Sequence, residues 1–242
     1  RAVGGRAGGS VTGRLIGVGV GPGAPDLLTL RAARVIEGAP VVAYPTLAGS
    51  PSLARAIAAA HLRGQAEEAI DLPMTESRLP AQAAYDAGAA RLAGHLAQGR
   101  DVAVLCEGDP MFYGSFMYLA ARLSARFAVE VVPGVTSVAA ASALARLPLG
   151  ARTGRIAVLP GTLPDEALRA GLLAHESVAV LKLGRHFPRV RAVVEALGLA
   201  PRATFVARAT LPDQEVLPLA EAPLAAPYFS LLLIQREADP WT

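Results

Sequence analysis

The chain is poor in several residue types, and each scarcity narrows what it can be. It holds one cysteine, Cys106, in 242 residues. That excludes an intramolecular disulfide and any zinc site built on cysteines, so the fold depends on packing, and a cytoplasmic setting is expected. Aromatic residues make up 5% of the sequence and charged residues 18%, with no basic run interleaved with aromatics. Nucleic-acid binding is therefore not expected, although the pI is near 9.4. No apolar run approaches the roughly 18 to 20 residues that a membrane span needs, so no membrane partner is expected. The opening RAVGGRAGGS has charge and glycine but no apolar core, and residues 1–12 read as a disordered tail. His61, His95, His175 and His186 show no metal-ligand spacing, and no metal site is expected. Cys106 ends an apolar run and reads as a packed thiol.

What is present is apolar and alternating. Residues are 52% hydrophobic, enough for one large or two small α/β domains. Short β-rich runs (LIGVGV, VVAYP, AEEAIDL, DVAVLCE, AVEVVPG) alternate with helical ones (LLTLRAARVIEGA, SLARAIAAAHL, PAQAAYDAGAARLAGHLAQG, SFMYLAARLSA, SVAAASALA). That rhythm predicts parallel βαβ units and a mostly parallel sheet. A break at RLPLGARTG, 146–154, places a domain boundary between 149 and 150. Domains are thus expected over 13–149 and 150–242. In the second, RIAVLPG and SVAVLKLG carry helices after them, but ATFVARAT, EVLPLA and YFSLLLIQRE are not all separated by helices. A mixed sheet with antiparallel pairs is expected there.

The loop GVGVGPGAPDLLTL, 17–30, invites a dinucleotide reading with Gly19, Gly21 and Ala24 as G-x-G-x-x-A. Two features oppose it. Pro22 has no N–H to give a pyrophosphate, and VVAYP ends in Tyr44 and Pro45 where a ribose-binding acid belongs. A plainer reading has the glycines allowing a tight strand-to-helix turn, with Asp26 capping the helix.

The order of residues in that loop is more specific than either reading. It resembles the first signature of the tetrapyrrole methyltransferases, G-x-G-P-G-D-P-x-L-L-T, departing at Ala24, where that family usually has aspartate. VLCEGDPMFYGS, 104–115, resembles the family's strand-then-G-D-P segment, and VVPGVTSV, 131–138, its P-G-[VI]-[TS]-[SA] segment. The resemblance spans nearly the whole chain. It implies two α/β domains of that type, the first sheet mostly parallel and the second mixed, with the cofactor in the cleft between them.

AYPTLAGS at 43–50, LPMT at 72–75 and CEGDPMFYGSFMYL together look most like the branch of the family that methylates C20 of precorrin-2 in cobalamin synthesis. The implied cofactor is S-adenosylmethionine, leaving as S-adenosylhomocysteine, with no metal. The implied product is precorrin-3A. Cobalt-precorrin-2 or another precorrin stays open as substrate, as do a non-catalytic tetrapyrrole-binding protein and an RNA methyltransferase of the same fold. The family also implies a homodimer.

Carried over by motif, the cofactor positions are Pro22, Glu107, Gly108, Asp109, Phe112, Thr136 and Ser137, with Leu183, Arg208 and Ala209 from LKLG and VARAT. The alternative role for Asp109 is a helix cap. A substrate with eight carboxylates calls for arginine at its mouth, and Arg78, Arg152, Arg185 and Arg208 are candidates in expected loops or strand ends. Gly21 is expected beside the substrate. Tyr44 and Tyr113 are expected to pack on the macrocycle. No residue is singled out as a base. Lys182, at an apolar strand end, is expected to snorkel from the sheet.

Overall fold

The computed structural model describes residues 12–47, 49–73 and 78–236. The glycine-rich opening up to Val11, the Met74–Thr75 half of LPMT and the Arg78 side chain lie outside the described residues. The chain forms two units, divided between Val135 and Thr136.

In the first unit the apolar runs become strands β1 (Leu15–Gly19), β2 (Val41–Leu47), β3 (Ala66–Leu72), β4 (Val102–Cys106) and β5 (Val129–Val132). Helices α1 (Leu30–Gly38), α2 (Leu53–Ile57), α3 (Arg78–Ala97) and α4 (Phe116–Leu123) separate them. The sheet order is β3-β2-β4-β1-β5, and every pairing is parallel. Strands buried on both faces need continuous apolar runs, which β1 and β4 supply: all ten of their residues are buried.

One face carries α3 and α4, through Tyr85, Leu92, Leu96, Phe116 and Leu119. The other carries α1 and α2, through Ile36, Ala54 and Ile57. Thr29, not Asp26, caps α1, accepting the Ala32 N–H at 3.1 Å. Asp26 falls in a separate 3-10 turn, Pro25–Leu27, because two prolines delay the helix by a turn. The run 52–62 makes a helix of only five residues followed by a 3-10 turn, Ala59–His61.

The second unit contains α5 (Ser137–Ala145), β6 (Ile156–Pro160), α6 (Asp165–Ala174), β7 (Ser177–Leu181), α7 (Phe187–Ala196), β8 (Ala203–Ala207), β9 (Glu215–Pro218) and β10 (Ser230–Gln235). Its sheet runs β6-β7-β10-β8-β9. β6 and β7 are parallel, and β10 is antiparallel to both β7 and β8. β8 and β9 are antiparallel too, so the mixed sheet expected from the helix-free tail of the sequence is present. Leu168, Leu172, Phe187, Val190 and Val194 of α6 and α7 pack on Val178, Val180, Phe205 and Leu232.

The division falls earlier than the proline-glycine break at 146–154. Helix α5 packs on β8 and β10, and the Gln235 amide donates to the Pro148 carbonyl. The break in sequence pattern is therefore a bend inside the second unit.

Candidate active site

In the first unit, β1 leads to α1 on one face and β4 leads to α4 on the other, so the chain departs in opposite directions from two neighbouring strands. Such a switch point leaves a crevice at the carboxyl ends of the strands, the usual ligand position in open parallel sheets. The loops leaving β1 and β4 here are Val20–Gly23 and Glu107–Pro110, two of the three signatures. The third, Pro133–Val135, leaves β5 on the other side of β1.

The three loops meet backbone to backbone. Gly21 and Gly108 form an antiparallel bridge, Gly108 N donating to Gly21 O at 2.8 Å and Gly21 N to Gly108 O at 3.3 Å. Both have left-handed φ, +83° and +66°, which glycine adopts without the Cβ clash. A Cβ on Gly19 would lie 2.6 Å from Gly134 N and 2.7 Å from Gly108 O, so neither chain leaves room for a side chain. Asp109 closes the junction: Oδ2 accepts the Gly134 N–H and Oδ1 the Met111 N–H, both at 2.9 Å. It therefore caps no helix, since α4 begins only at Phe116. Pro22 stands in the first loop, half-buried and with no N–H to pair.

Glu107 is the last residue before this junction and is part-buried. Its Oε1 accepts the Ala54 N–H of α2 at 3.3 Å. Burial pushes its carboxyl up from the usual range. Burial and the neighbouring Glu107 also push up the Cys106 thiol, which is only 1% exposed and so is a packed group, not a nucleophile. Beyond the junction, Phe112 and Tyr113 meet edge to face with centroids 5.4 Å apart. Tyr113 is exposed and held at φ 57°.

Tyr44 is placed differently from expectation. On β2, its hydroxyl donates to Glu67 Oε2 of β3 at 2.7 Å, and the Arg55 guanidinium lies 5.9 Å from its ring centroid. Arg55 in turn binds Glu67 through Nε at 2.5 Å and Nη2 at 2.8 Å. The tyrosine thus ties α2 to the sheet edge. Arg78 opens α3 and is not in a loop.

In the second unit, Leu183 follows β7 and Arg208 and Ala209 follow β8. Both strands flank β10 in the same sense, so these segments share one end of the sheet. Leu183 and Ala209 are buried. Lys182, Arg208 and Thr210 all have left-handed φ, 57°, 49° and 68°, a conformation costly for side-chain-bearing residues and concentrated at functional sites. Lys182 is exposed, its backbone turned out of the strand direction. Arg208 pairs with Asp213 at 2.7 Å and Glu215 at 3.2 Å, closing its own loop. Arg185 is exposed in the 3-10 turn Gly184–His186 at the same end.

Arg152 is not brought there. It lies in the turn leading into β6, whose start is level with the start of β7. Thr136 caps α5, accepting the Ala139 N–H at 3.2 Å, and Ser137 is its first residue. Gly134, Arg55 and Glu67 are parts of these arrangements to which the motifs assigned no role. Among the described residues no group of His, Cys, Asp and Glu could hold a metal.

Residues 14–223 match the model of the tetrapyrrole (corrin/porphyrin) methylases. The chain belongs to the tetrapyrrole methylases. Among curated family members, it is 41% identical to the precorrin-2 C(20)-methyltransferase of a Sinorhizobium species, over 94% of this chain and 97% of that one. It is 46% identical to the cobalamin biosynthesis protein CobIJ of Mycobacterium bovis over 93% of this chain, but spans only 46% of that relative's length. Of solved tetrapyrrole methylases, the uroporphyrin-III C-methyltransferase of Thermus thermophilus, complexed with S-adenosylhomocysteine, superimposes with a TM-score of 0.67 at 28% identity. That match covers 92% of this chain and 97% of the other.

Proposed function

We propose that this chain methylates C20 of precorrin-2, with S-adenosylmethionine as donor, giving precorrin-3A and S-adenosylhomocysteine. The observation that carries the choice of substrate is the 41% identity to the Sinorhizobium precorrin-2 C(20)-methyltransferase across almost the full length of both chains. The geometry supports a cationic cofactor. At the switch point, two carboxylates, Glu107 and Asp109, stand beside a glycine junction, and neither is ion-paired among the described residues.

In the first unit the residues that would hold the cofactor are Pro22, Glu107, Gly108, Asp109 and Phe112; in the second unit, taken by itself, the family motifs point to Thr136, Ser137, Leu183, Arg208 and Ala209. When bound, S-adenosylmethionine supplies an electrophilic methyl group on a positively charged sulfur. The protein's task is alignment. The Gly21–Gly108 bridge and the Asp109–Gly134 bond hold three loops rigid, which limits the geometry a bound pair of reactants can sample. Tyr113 offers an exposed aromatic face to a macrocycle, and Arg185 a cation to its carboxylates. The same reading includes a homodimer in the cytoplasm. Among the described residues no helix is long and apolar enough to cross a membrane.

The test is incubation of the purified protein with S-adenosylmethionine and precorrin-2 without oxygen, following macrocycle mass and S-adenosylhomocysteine together. One methyl gained per homocysteine product, located at C20, is the expected result. Cobalt-precorrin-2 is assayed in parallel, because the chain is also 32% identical to the cobalt-precorrin-2 C(20)-methyltransferase of Salmonella typhimurium. Turnover of the cobalt substrate alone would reassign the substrate.

A further inference from the structure

The carboxylate of Glu107 is an anomaly within the first unit. It is part-buried at the end of β4, its carboxylate is held by backbone N–H groups, that of Ala54 at 3.3 Å and its own, and among the described residues it has no ion-pair partner. Charged groups nearby are otherwise engaged. Arg55 of α2 is bound to Glu67, and both Asp109 oxygens are turned onto backbone N–H groups. From β4 the Cys106 thiol is adjacent, itself pushed up by burial and by Glu107. From β2 the Tyr44 hydroxyl is spent on Glu67. Burial raises its carboxyl despite those bonds, so taking this carboxylate from water without a cationic side chain costs stability that the backbone contacts offset only in part. Such a group persists where something outside the protein completes it.

Resting on the methyltransferase reading, we propose that Glu107 is the counter-charge for the sulfonium of bound S-adenosylmethionine. The two forms of the cofactor differ in this respect. Both carry the same amino-acid group and adenosine, but only the methylated form has a positive sulfur. When the methyl leaves, the sulfur becomes a neutral thioether and the attraction to Glu107 ends. The carboxylate would thus favour the methyl donor over the spent cofactor and hasten release of S-adenosylhomocysteine. It stabilises the charged ground state and so contributes selectivity in binding, not a lowered barrier.

The test is a pair of dissociation constants. Calorimetric titration of the full chain with S-adenosylmethionine and with S-adenosylhomocysteine is done for the parent, Glu107→Gln and Glu107→Asp. Glutamine keeps an acceptor for Ala54 N and removes the charge; aspartate keeps the charge. Affinity for S-adenosylmethionine is expected to fall on the order of tenfold in Glu107→Gln, with S-adenosylhomocysteine changed by less than about twofold. Glu107→Asp should retain most of the difference between the two ligands. Lowering the pH toward the carboxylate range should weaken the methylated form in the parent and leave Glu107→Gln unaffected. Equal loss for both ligands, or no loss for either, would overturn the proposal and leave Glu107 as a pin for α2. Thermal unfolding of each variant confirms that it is folded. A parent protein that binds neither ligand overturns the methyltransferase reading itself, a result distinct from the parent binding both and the variants following it.

Discussion

Asp109 and Gly134 are joined across two loops: a carboxylate oxygen of the first accepts the backbone N–H of the second at 2.9 Å, directly over the end of β1. This bond links the second signature to the third, and the Gly21–Gly108 bridge links the second to the first. Motifs more than a hundred residues apart in sequence thereby become one rigid surface.

Asp109→Ala should release the N–H groups of Met111 and Gly134 together. The expected loss is about 1 to 3 kcal/mol of stability, read by denaturant unfolding. Asp109→Asn, which keeps one carbonyl acceptor, should lose less. S-adenosylmethionine affinity should fall in the same order.

Gly134→Ala and Gly94→Ala should have opposite signs. A Cβ on Gly134 would overlap the Gly108 carbonyl oxygen and crowd Gly19 Cα at 2.8 Å, so about 1 to 3 kcal/mol should be lost. Gly94, within α3, has nothing within 4 Å of its Cβ position. Alanine there should stabilise by roughly 0.5 to 1 kcal/mol through helix propensity. Melting temperatures of the two variants decide this.

Glu68 holds the edge strand β3 to α3, accepting from Arg91 Nε at 2.8 Å and pairing with His95 Nε2 at 2.9 Å. Hydrogen bonds from His95 and then Arg91 pull its carboxyl below the usual range. A folded-state pKa below the unfolded one means that the native form binds fewer protons in the window between them. Stability from Glu68 is therefore full above about pH 4.3 and lost as pH falls through the lowered value. Glu68→Gln should cost on the order of 1 kcal/mol at neutral pH. The two proteins should converge in acid, as urea unfolding across pH will show.

Glu107 should behave in the reverse sense. Burial raises its carboxyl, so the native form binds more protons between the unfolded and folded values, and stability falls as pH rises through that window. In the absence of ligand, Glu107→Gln should be more stable than the parent at neutral pH by on the order of 1 kcal/mol. The gain should vanish once the parent carboxyl is protonated. A glutamine variant less stable at every pH would mean that the Ala54 contact outweighs the burial of charge.

Arg208 combines a left-handed backbone with a loop-closing side chain. Arg208→Ala keeps the strained φ and loses both ion pairs, whereas Arg208→Gly loses the pairs but relieves the strain. The glycine variant should be the more stable of the two by roughly 1 kcal/mol. Hydrogen exchange over residues 208–215 should quicken in both.

By itself, the sequence determined the order and kind of nearly every element, because short apolar runs such as LIGVG and VAVLC alternate with longer helical stretches in the rhythm of βαβ units. It determined the family as well, since dense motifs such as GPGAPDLLT and CEGDP carry more information than periodicity does. Tertiary structure decided what local pattern does not encode. The helix α5 joins the second unit because its apolar side finds β8 and β10, although the proline break lies after it. Tyr44 was legible as a tyrosine near a signature, but its hydroxyl is taken by Glu67, a partner placed beside it only by the parallel pairing of β2 with β3. Asp109 and Gly134, and the isolation of the Glu107 carboxylate, likewise exist only once β4, β1 and β5 lie side by side. Hydrogen bonds and buried charge act over a few ångströms of space, and strand order, which sets those distances, is a property of the whole sheet.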